Sequence, residues 1–144
     1  MLMFASLLCT LLNACTDRRP APTTEPYIIR HDGGGQIISA EADRAMLAAW
    51  GGRVEIRNHC YSACVIFLTL PNACIGRRTE IGFHGSSVNV GPIGNQQIAR
   101  YLRGEIKRRY LAEWQYIPTT DIHIISAPEY VRMDPKAKLC EFAK

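Results

Sequence analysis

Residues 62–70, Ser-Ala-Cys-Val-Ile-Phe-Leu-Thr-Leu, form an almost unbroken apolar run. A run of this length without alternation offers no polar face to solvent. It reads as a buried helix or a buried strand, and periodicity does not choose between them. In either form the rest of the fold has to surround it. The chain has 144 residues, enough for one domain around such a segment and too few for two ordinary ones. Hydrophobic residues make up 47% and charged residues 21%, a balance that excludes intrinsic disorder. No apolar run reaches about 18 residues, which excludes a helix that remains across a membrane. Seventeen Lys and Arg against thirteen Asp and Glu leave a net charge of +4. With no dense basic stripe, this gives no footing for a nucleic-acid partner.

Elements alternate on both sides of the apolar run. Residues 27–30 read as a short buried strand, broken by His31-Asp32-Gly33-Gly34-Gly35. Ser39 is placed to cap a helix over about 40–50, ended by Gly51-Gly52. Arg53 to Arg57 alternates as a strand, with Val54 and Ile56 on one face. Thr79 to Phe83 reads as a strand ending at His84, and residues 85–95, rich in Gly, Ser, Asn and Pro, as a loop. Over about 96–115, Ile98, Leu102, Ile106, Tyr110 and Trp114 recur every four residues, the apolar stripe of a single helix. Arg100, Arg103, Lys107, Arg108 and Arg109 lie largely off that stripe as a solvated face. Ile122 to Ile125 is a last strand, and Ser126-Ala-Pro-Glu opens a short helix. Strands alternating with helices indicate an α/β fold with parallel strands.

The N-terminus points to export. Residues 1–14 (MLMFASLLCTLLNA) are uncharged and mostly apolar, and the stretch after them is polar, with prolines at 20, 22 and 26. A short apolar segment before a small residue has the form of a signal peptide. Leu12-Asn13-Ala14-Cys15 resembles a bacterial lipobox, in which Cys15 carries lipid and becomes the mature N-terminus. The expected organisation is a signal peptide at 1–14, a proline-rich linker at 15–26 and a domain at 27–144. Six cysteines are many for a reducing cytosol and suit an oxidising compartment. After processing, Cys60, Cys64, Cys74 and Cys140 remain to pair. If Cys60 and Cys64 share a helix, their β-carbons stand about 6 Å apart, beyond the bridging range of roughly 3.5–4.5 Å. One of the two is therefore expected to pair with Cys74 and the other with Cys140.

Acyl chemistry on a serine needs a nucleophile, a base, a group that orients the base, and donors for the oxyanion. Ser62 sits between small residues just after a strand, where helix-start amides and the helix dipole favour a developing negative charge. His84 ends a strand and is followed by glycine. The glycine run can offer a further amide without a side chain in the way. Taken singly, such a serine is most often a helix cap and such a histidine a structural residue. A metal site from His59, Cys60, Cys64 and Cys74 has four N/S ligands, but its spacing matches no common finger, and exported thiols oxidise first. No metal and no cofactor is expected.

The order strand, Gly-Gly, helix, strand, Cys-x-Ser-Ala-Cys, Gly-Phe-His resembles the ClpP/crotonase superfamily, and within it the small exported bacterial ClpP-like serine peptidase domains. The resemblance runs over roughly 27–140. Ser62 precedes His84 by 22 residues, and Gly34-Gly35 precede Ser62 by 27 to 28. It implies a ββα-repeat fold, shortened at the N-terminus, with a linker where the family has a further strand and helix. It also implies Ser62 as nucleophile, His84 as base, Asp121 as orienting acid ahead of Ser126-Ala127-Pro128-Glu129, and the amides of Gly35 and Ala63 as the oxyanion hole. The helix at 96–115 matches the family's long helix that packs between subunits, so a homo-oligomer is an expected assembly.

The function expected from these features is a cell-envelope serine hydrolase, an ATP-independent peptidase facing the periplasm. Its substrates would be short peptides or unfolded proteins. There is no ATP-binding motif, and no ATPase partner is expected. The competing expectation is an inactive ClpP-like lipoprotein that binds or scaffolds. Acyl-CoA chemistry is set aside, because an exported chain meets little CoA. Membrane contact is expected through the lipid anchor, with contact of the basic helix face with anionic headgroups or a partner as the lesser reading: Cys15→Ala should move the protein into the soluble fraction, and a mutant that fractionates with membranes like wild type would refute the lipobox.

Overall fold

The computed structural model describes residues 18–141. The expected signal peptide and Cys15 lie outside them. In chain order the elements are β1 (Tyr27–Asp32), α1 (Ile37–Trp50), β2 (Val54–Tyr61), a 3-10 helix (Ser62–Thr69), β3 (Ala73–Ile75), β4 (Glu80–Phe83), α2 (Gly91–Tyr101), α3 (Gly104–Ala112), a 3-10 turn (Trp114–Tyr116), β5 (His123–Ser126) and α4 (Ala127–Met133). This is a mixed α/β fold on one five-stranded sheet of order β1-β2-β4-β5. Along the edge of β2 away from β1, Val54–Ile56 pair with β3 and His59–Tyr61 pair with β4.

The apolar run at 62–70 resolves into the 3-10 helix, buried at every position after Ser62. It packs against α1, α2, β2, β3 and β4. The core around it joins Ile29, Ile56 and Ile81 from the sheet to Leu47, Ile98, Ile106, Tyr110 and Tyr130 from the helices. Its carbonyl end is held from α1: Arg44 donates from Nε to the Ile66 carbonyl at 2.9 Å and from a terminal nitrogen to the Thr69 carbonyl at 3.2 Å. A helix end buried without such donors would strand its carbonyls.

Several local expectations change. Helix α1 begins at Ile37 behind Gln36, with no side-chain cap, so Ser39 is inside the helix and does not cap it. The helix stops at Gly51 as expected. Residues 91–95, expected in a loop, already belong to α2. The single helix expected at 96–115 is two, separated at Leu102-Arg103. Arg103 is drawn out of helical geometry to grip the buried Asp134 carboxylate at 2.7 and 2.9 Å, and Gly104 follows at φ +55. The stripe survives the break: Ile98, Leu102, Ile106, Tyr110 and Trp114 are all buried. The basic face is paired as well as solvated, since Arg108 and Arg109 hold Glu105, keeping its carboxyl down to about 2 through their hydrogen bonds. At the last helix the expected cap is present, the Glu129 amide donating to Ser126 Oγ at 3.3 Å.

The strands are not all parallel. β1, β2, β3 and β4 are parallel, but β5 runs antiparallel to β4, with Phe83 opposite His123 and Glu80 opposite Ser126. The two helices after β4 return the chain to the end of β4 that it left, where the Gly85 amide donates to the Ile117 carbonyl at 2.8 Å. β5 therefore starts beside the finish of β4 and runs back. The described part of the proline-rich stretch is anchored on the domain: Arg18 pairs with Asp43 at 2.7 Å, and Arg19 pairs with Asp32 while lying 5.1 Å over the Phe67 ring.

The cysteine pairing differs from that expected. Cys60 bridges Cys64, and Cys74 bridges Cys140. The expectation placed Cys60 and Cys64 in one helix. Instead Cys60 is in β2 and Cys64 in the 3-10 helix, and the reversal between them brings their α-carbons to 5.3 Å, inside the bridging range. Cys74–Cys140 closes 66 residues and ties the C-terminal segment to β3, where the Cys140 amide donates to the Ile75 carbonyl at 2.9 Å. Two disulfides suit an oxidising, exported environment. Among the described residues no helix is long and apolar enough to cross a membrane. Because chain-entropy stabilisation grows with loop length, removing Cys74–Cys140 by paired Ser substitutions should cost about 4 kcal/mol and removing Cys60–Cys64 about 2 kcal/mol. Urea unfolding of the two variants checks the order, and non-reducing peptide mapping checks the pairing.

Candidate functional site

Ser62 stands where β2 ends and the 3-10 helix begins, at φ +54. A non-glycine residue is strained there, and such strain persists only where its surroundings enforce it. Two features do so. The Cys60–Cys64 bridge closes over the turn from both sides. Against the turn lies Gly34, at φ +93, so close that a β-carbon on it would stand 2.6 Å from Ser62 Cβ, 2.8 Å from the Tyr61 carbonyl and 2.9 Å from the Ala63 amide. Gly34 is held in turn by Asp32, whose Oδ1 accepts its amide at 2.8 Å while Oδ2 takes Arg19. The glycine loop is thereby fixed on the start of the helix.

In front of this turn opens a cleft of about 580 Å³ whose lining includes Gly35, Ser62, Ala63, His84, Gly85 and Gln97. The volume falls in the range of small-ligand sites. In a helix with i→i+3 bonds the first three amides have no carbonyl behind them, and Ala63 is the second residue of this one. The Gly34 amide is committed to Asp32, and Gly35 is the member of the glycine run that lines the cleft. Four of the five residues expected to act together, Ser62, His84, Gly35 and Ala63, share one cavity.

His84 is half-buried, and its Nδ1 lies 2.6 Å from the Gly85 carbonyl oxygen. A carbonyl only accepts, so Nδ1 carries the proton and Nε2 is left as the basic nitrogen. The loop that bears His84 is braced on three sides. The Ser86 amide donates to Asn95 Oδ1 at 2.6 Å, the Tyr110 hydroxyl donates to the same oxygen at 3.2 Å, and Gly85 is bonded to Ile117. Burial pushes the Tyr110 phenol up to about 12, so it remains a donor at neutral pH. A β-carbon at Gly85 would collide with the Gln115 carbonyl. Asn95 and Tyr110 carry no motif; as positioning residues they were legible only as loop and apolar stripe.

Asp121 stands apart from this group. It is exposed on the turn after Pro118, its Oδ1 accepts the Ile122 amide at 2.8 Å, and it is not among the residues lining the cleft. His123 is half-buried and stacked on Trp114 with ring centroids 4.7 Å apart. The metal set His59, Cys60, Cys64 and Cys74 does not exist, since its three sulfurs are spent in disulfides. Compared with protein-family models and with curated proteins, the sequence matches none.

The approach of Gly34 to Ser62 gives a paired test. Gly34→Ala should cost about 1–3 kcal/mol, because both its positive φ and the backbone atoms ahead of it resist a side chain. Gly33→Ala, with nothing within 4 Å of the added carbon, should stay within about 0.5 kcal/mol of wild type. Urea unfolding of the two variants distinguishes them.

Proposed function

We propose that this protein is an exported serine hydrolase, an ATP-independent peptidase of ClpP/crotonase type, with Ser62 as nucleophile and His84 as general base. One observation carries the reading. A serine held at strained positive φ at a helix start shares a cleft with a histidine whose tautomer leaves Nε2 free to accept a proton. An unactivated serine hydroxyl is a weak nucleophile and needs such a base beside it.

In this reaction Ser62 Oγ attacks an acyl carbonyl while its proton passes to His84 Nε2. The amides of Gly35 and Ala63 receive the charge that develops on the carbonyl oxygen. His84 then returns the proton to the leaving amine or alcohol, and water repeats the sequence on the acyl-enzyme. The Gly85 carbonyl holds the tautomer, the task that the family resemblance assigns to Asp121. A neutral carbonyl stabilises the imidazolium less than a carboxylate, so the turnover expected is slow. The exposed Ile38 and Val90 on the cleft rim suit an apolar side chain or acyl group. With lipid on Cys15 the domain would work at the periplasmic face of the envelope, on peptides or unfolded segments. Association into a homo-oligomer through the helices after His84 belongs to the same proposal.

A fluorophosphonate probe and an activated ester test the proposal. Ser62→Ala should abolish labelling, and His84→Ala should reduce hydrolysis at least about 10³-fold. Asp121→Asn should leave most of the activity, whereas an aspartate that orients the base costs about 10⁴-fold in kcat when converted to asparagine. Equal hydrolysis by wild type and Ser62→Ala, or a folded wild type that takes no probe, would leave the binding or scaffolding role, which the position of Asp121 outside the cleft favours.

A further inference from the structure

On the opposite side of the β1–β2 pair from the core, two histidines meet. His31 and His59 face each other with Nδ1 atoms 3.4 Å apart and ring centroids 5.0 Å apart, the planes inclined at 67°. Neither belongs to the cleft that holds Ser62 and His84. They meet because the β1–β2 ladder shifts register between Arg30 and Asp32. At that irregularity His31 takes φ +50 and Asn58 takes φ +68.

The separation suits one kind of occupant. As a hydrogen bond, 3.4 Å between ring nitrogens is long, since such bonds run about 2.7–3.2 Å. Two imidazole nitrogens each about 2.0–2.1 Å from one tetrahedral zinc-like ion stand about 3.4 Å apart, and with both lone pairs aimed at the ion their ring centroids stand about 5 Å apart. The observed pair meets both distances. It is also held in place: Asn58 Nδ2 lies 2.9 Å from His31 Nε2, and His59 stacks on Tyr61 at 4.7 Å, whose hydroxyl donates to Glu80 at 2.7 Å. A metal-bound histidine donates its far ring N–H to an acceptor, and the Asn58 amide meets that need at His31 when it turns its oxygen toward Nε2.

We propose that His31 and His59 form a two-imidazole site for a late first-row divalent ion of the zinc class, with water completing the coordination. The chemistry balances without a redox partner. In the metal-free form Asn58 donates to His31 Nε2, so His31 Nδ1 carries the proton shared with His59 Nδ1. On binding, that proton moves to His31 Nε2, the Asn58 amide turns to accept it through its oxygen, and the ion takes the place of the shared hydrogen between the two Nδ1 atoms. The proton is moved from one nitrogen of His31 to the other, so the exchange balances. Imidazole nitrogens select zinc, copper and nickel over magnesium and calcium, which prefer oxygen. The site is open to solvent, with His31 and Asn58 exposed, so an ion from the surroundings reaches it without any opening of the fold.

The test is calorimetric titration of the untagged full chain with Zn²⁺. Wild type should bind one ion at micromolar concentration. His31→Ala and His59→Ala should each bind at least about tenfold more weakly, while His123→Ala, remote from the pair, should bind like wild type. Mg²⁺ should give no heat of binding. If an alanine variant fails to fold, nitrogen NMR of wild type gives the same answer, because Zn²⁺ should shift Nδ1 of His31 and of His59 together and leave His84 unmoved. Wild type that binds no Zn²⁺ below millimolar concentration, or His31→Ala that binds as wild type does, would overturn the proposal.

Discussion

A helix with no face to spare for solvent, set at the centre of a small domain, has to have its backbone ends satisfied from within the protein. The segment Ser62–Thr69 is buried along all but its first residue, and the surrounding structure answers that demand. At the carbonyl end, Arg44 reaches from α1 to two carbonyls and carries its charge 4.7 Å over the Tyr101 ring. Burial lowers the guanidinium's pKa from its usual value, yet an arginine in this setting stays charged and makes stronger hydrogen bonds than a neutral donor. At the amide end no such side-chain partner is found among the described residues. Glycines approach closely there, and a cleft opens. Open amides at a helix start favour negative charge placed before them.

The proposed nucleophile follows from the same constraint. The chain must turn from β2 into a helix beneath it within one or two residues, and Ser62 takes the positive φ that this requires. Cys60–Cys64 fastens the turn, and Gly34 leaves no room for it to relax outward. The position of His84, the proposed base, comes from different forces. The Gly85 carbonyl faces the His84 ring, Asn95 and the Ile117 carbonyl hold the Ser86 and Gly85 amides of its loop, and the stack of buried Phe83 and Trp114 on half-buried His123 packs behind the end of β4. One half of the cleft is thus set by covalent and steric closure and the other by hydrogen bonds.

Much of this was legible locally. The strand at 27–30, the helix stopped at Gly51, the burial of Ile98, Leu102, Ile106, Tyr110 and Trp114, and the cap at Ser126 all follow from periodicity and turn chemistry within a few residues of each position. The break at Leu102-Arg103 was not legible, because it depends on Asp134, 31 residues further along the chain. The antiparallel β5 was not legible either, since its direction depends on where two helices deliver the chain. Among the residues expected at the site, Ser62, His84, Gly35 and Ala63 line one cleft, while Asp121 is turned to its own neighbour's amide.

By itself the sequence determined most of the buried residues, the stop of the first helix at Gly51, and that a serine and a histidine each stand just after a strand. Those properties depend on side-chain polarity and on backbone preferences that act over a few residues. Tertiary structure alone decided which cysteines pair, which carbonyl holds the His84 tautomer, and that His31 and His59 meet. Each of these is a distance between atoms of separate elements. Cys60 and Cys64 pair because a strand and a helix meet at a sharp turn, and the two imidazoles meet because a ladder shifts register. Side-chain identity limits such meetings, and the packing of the whole chain selects among them.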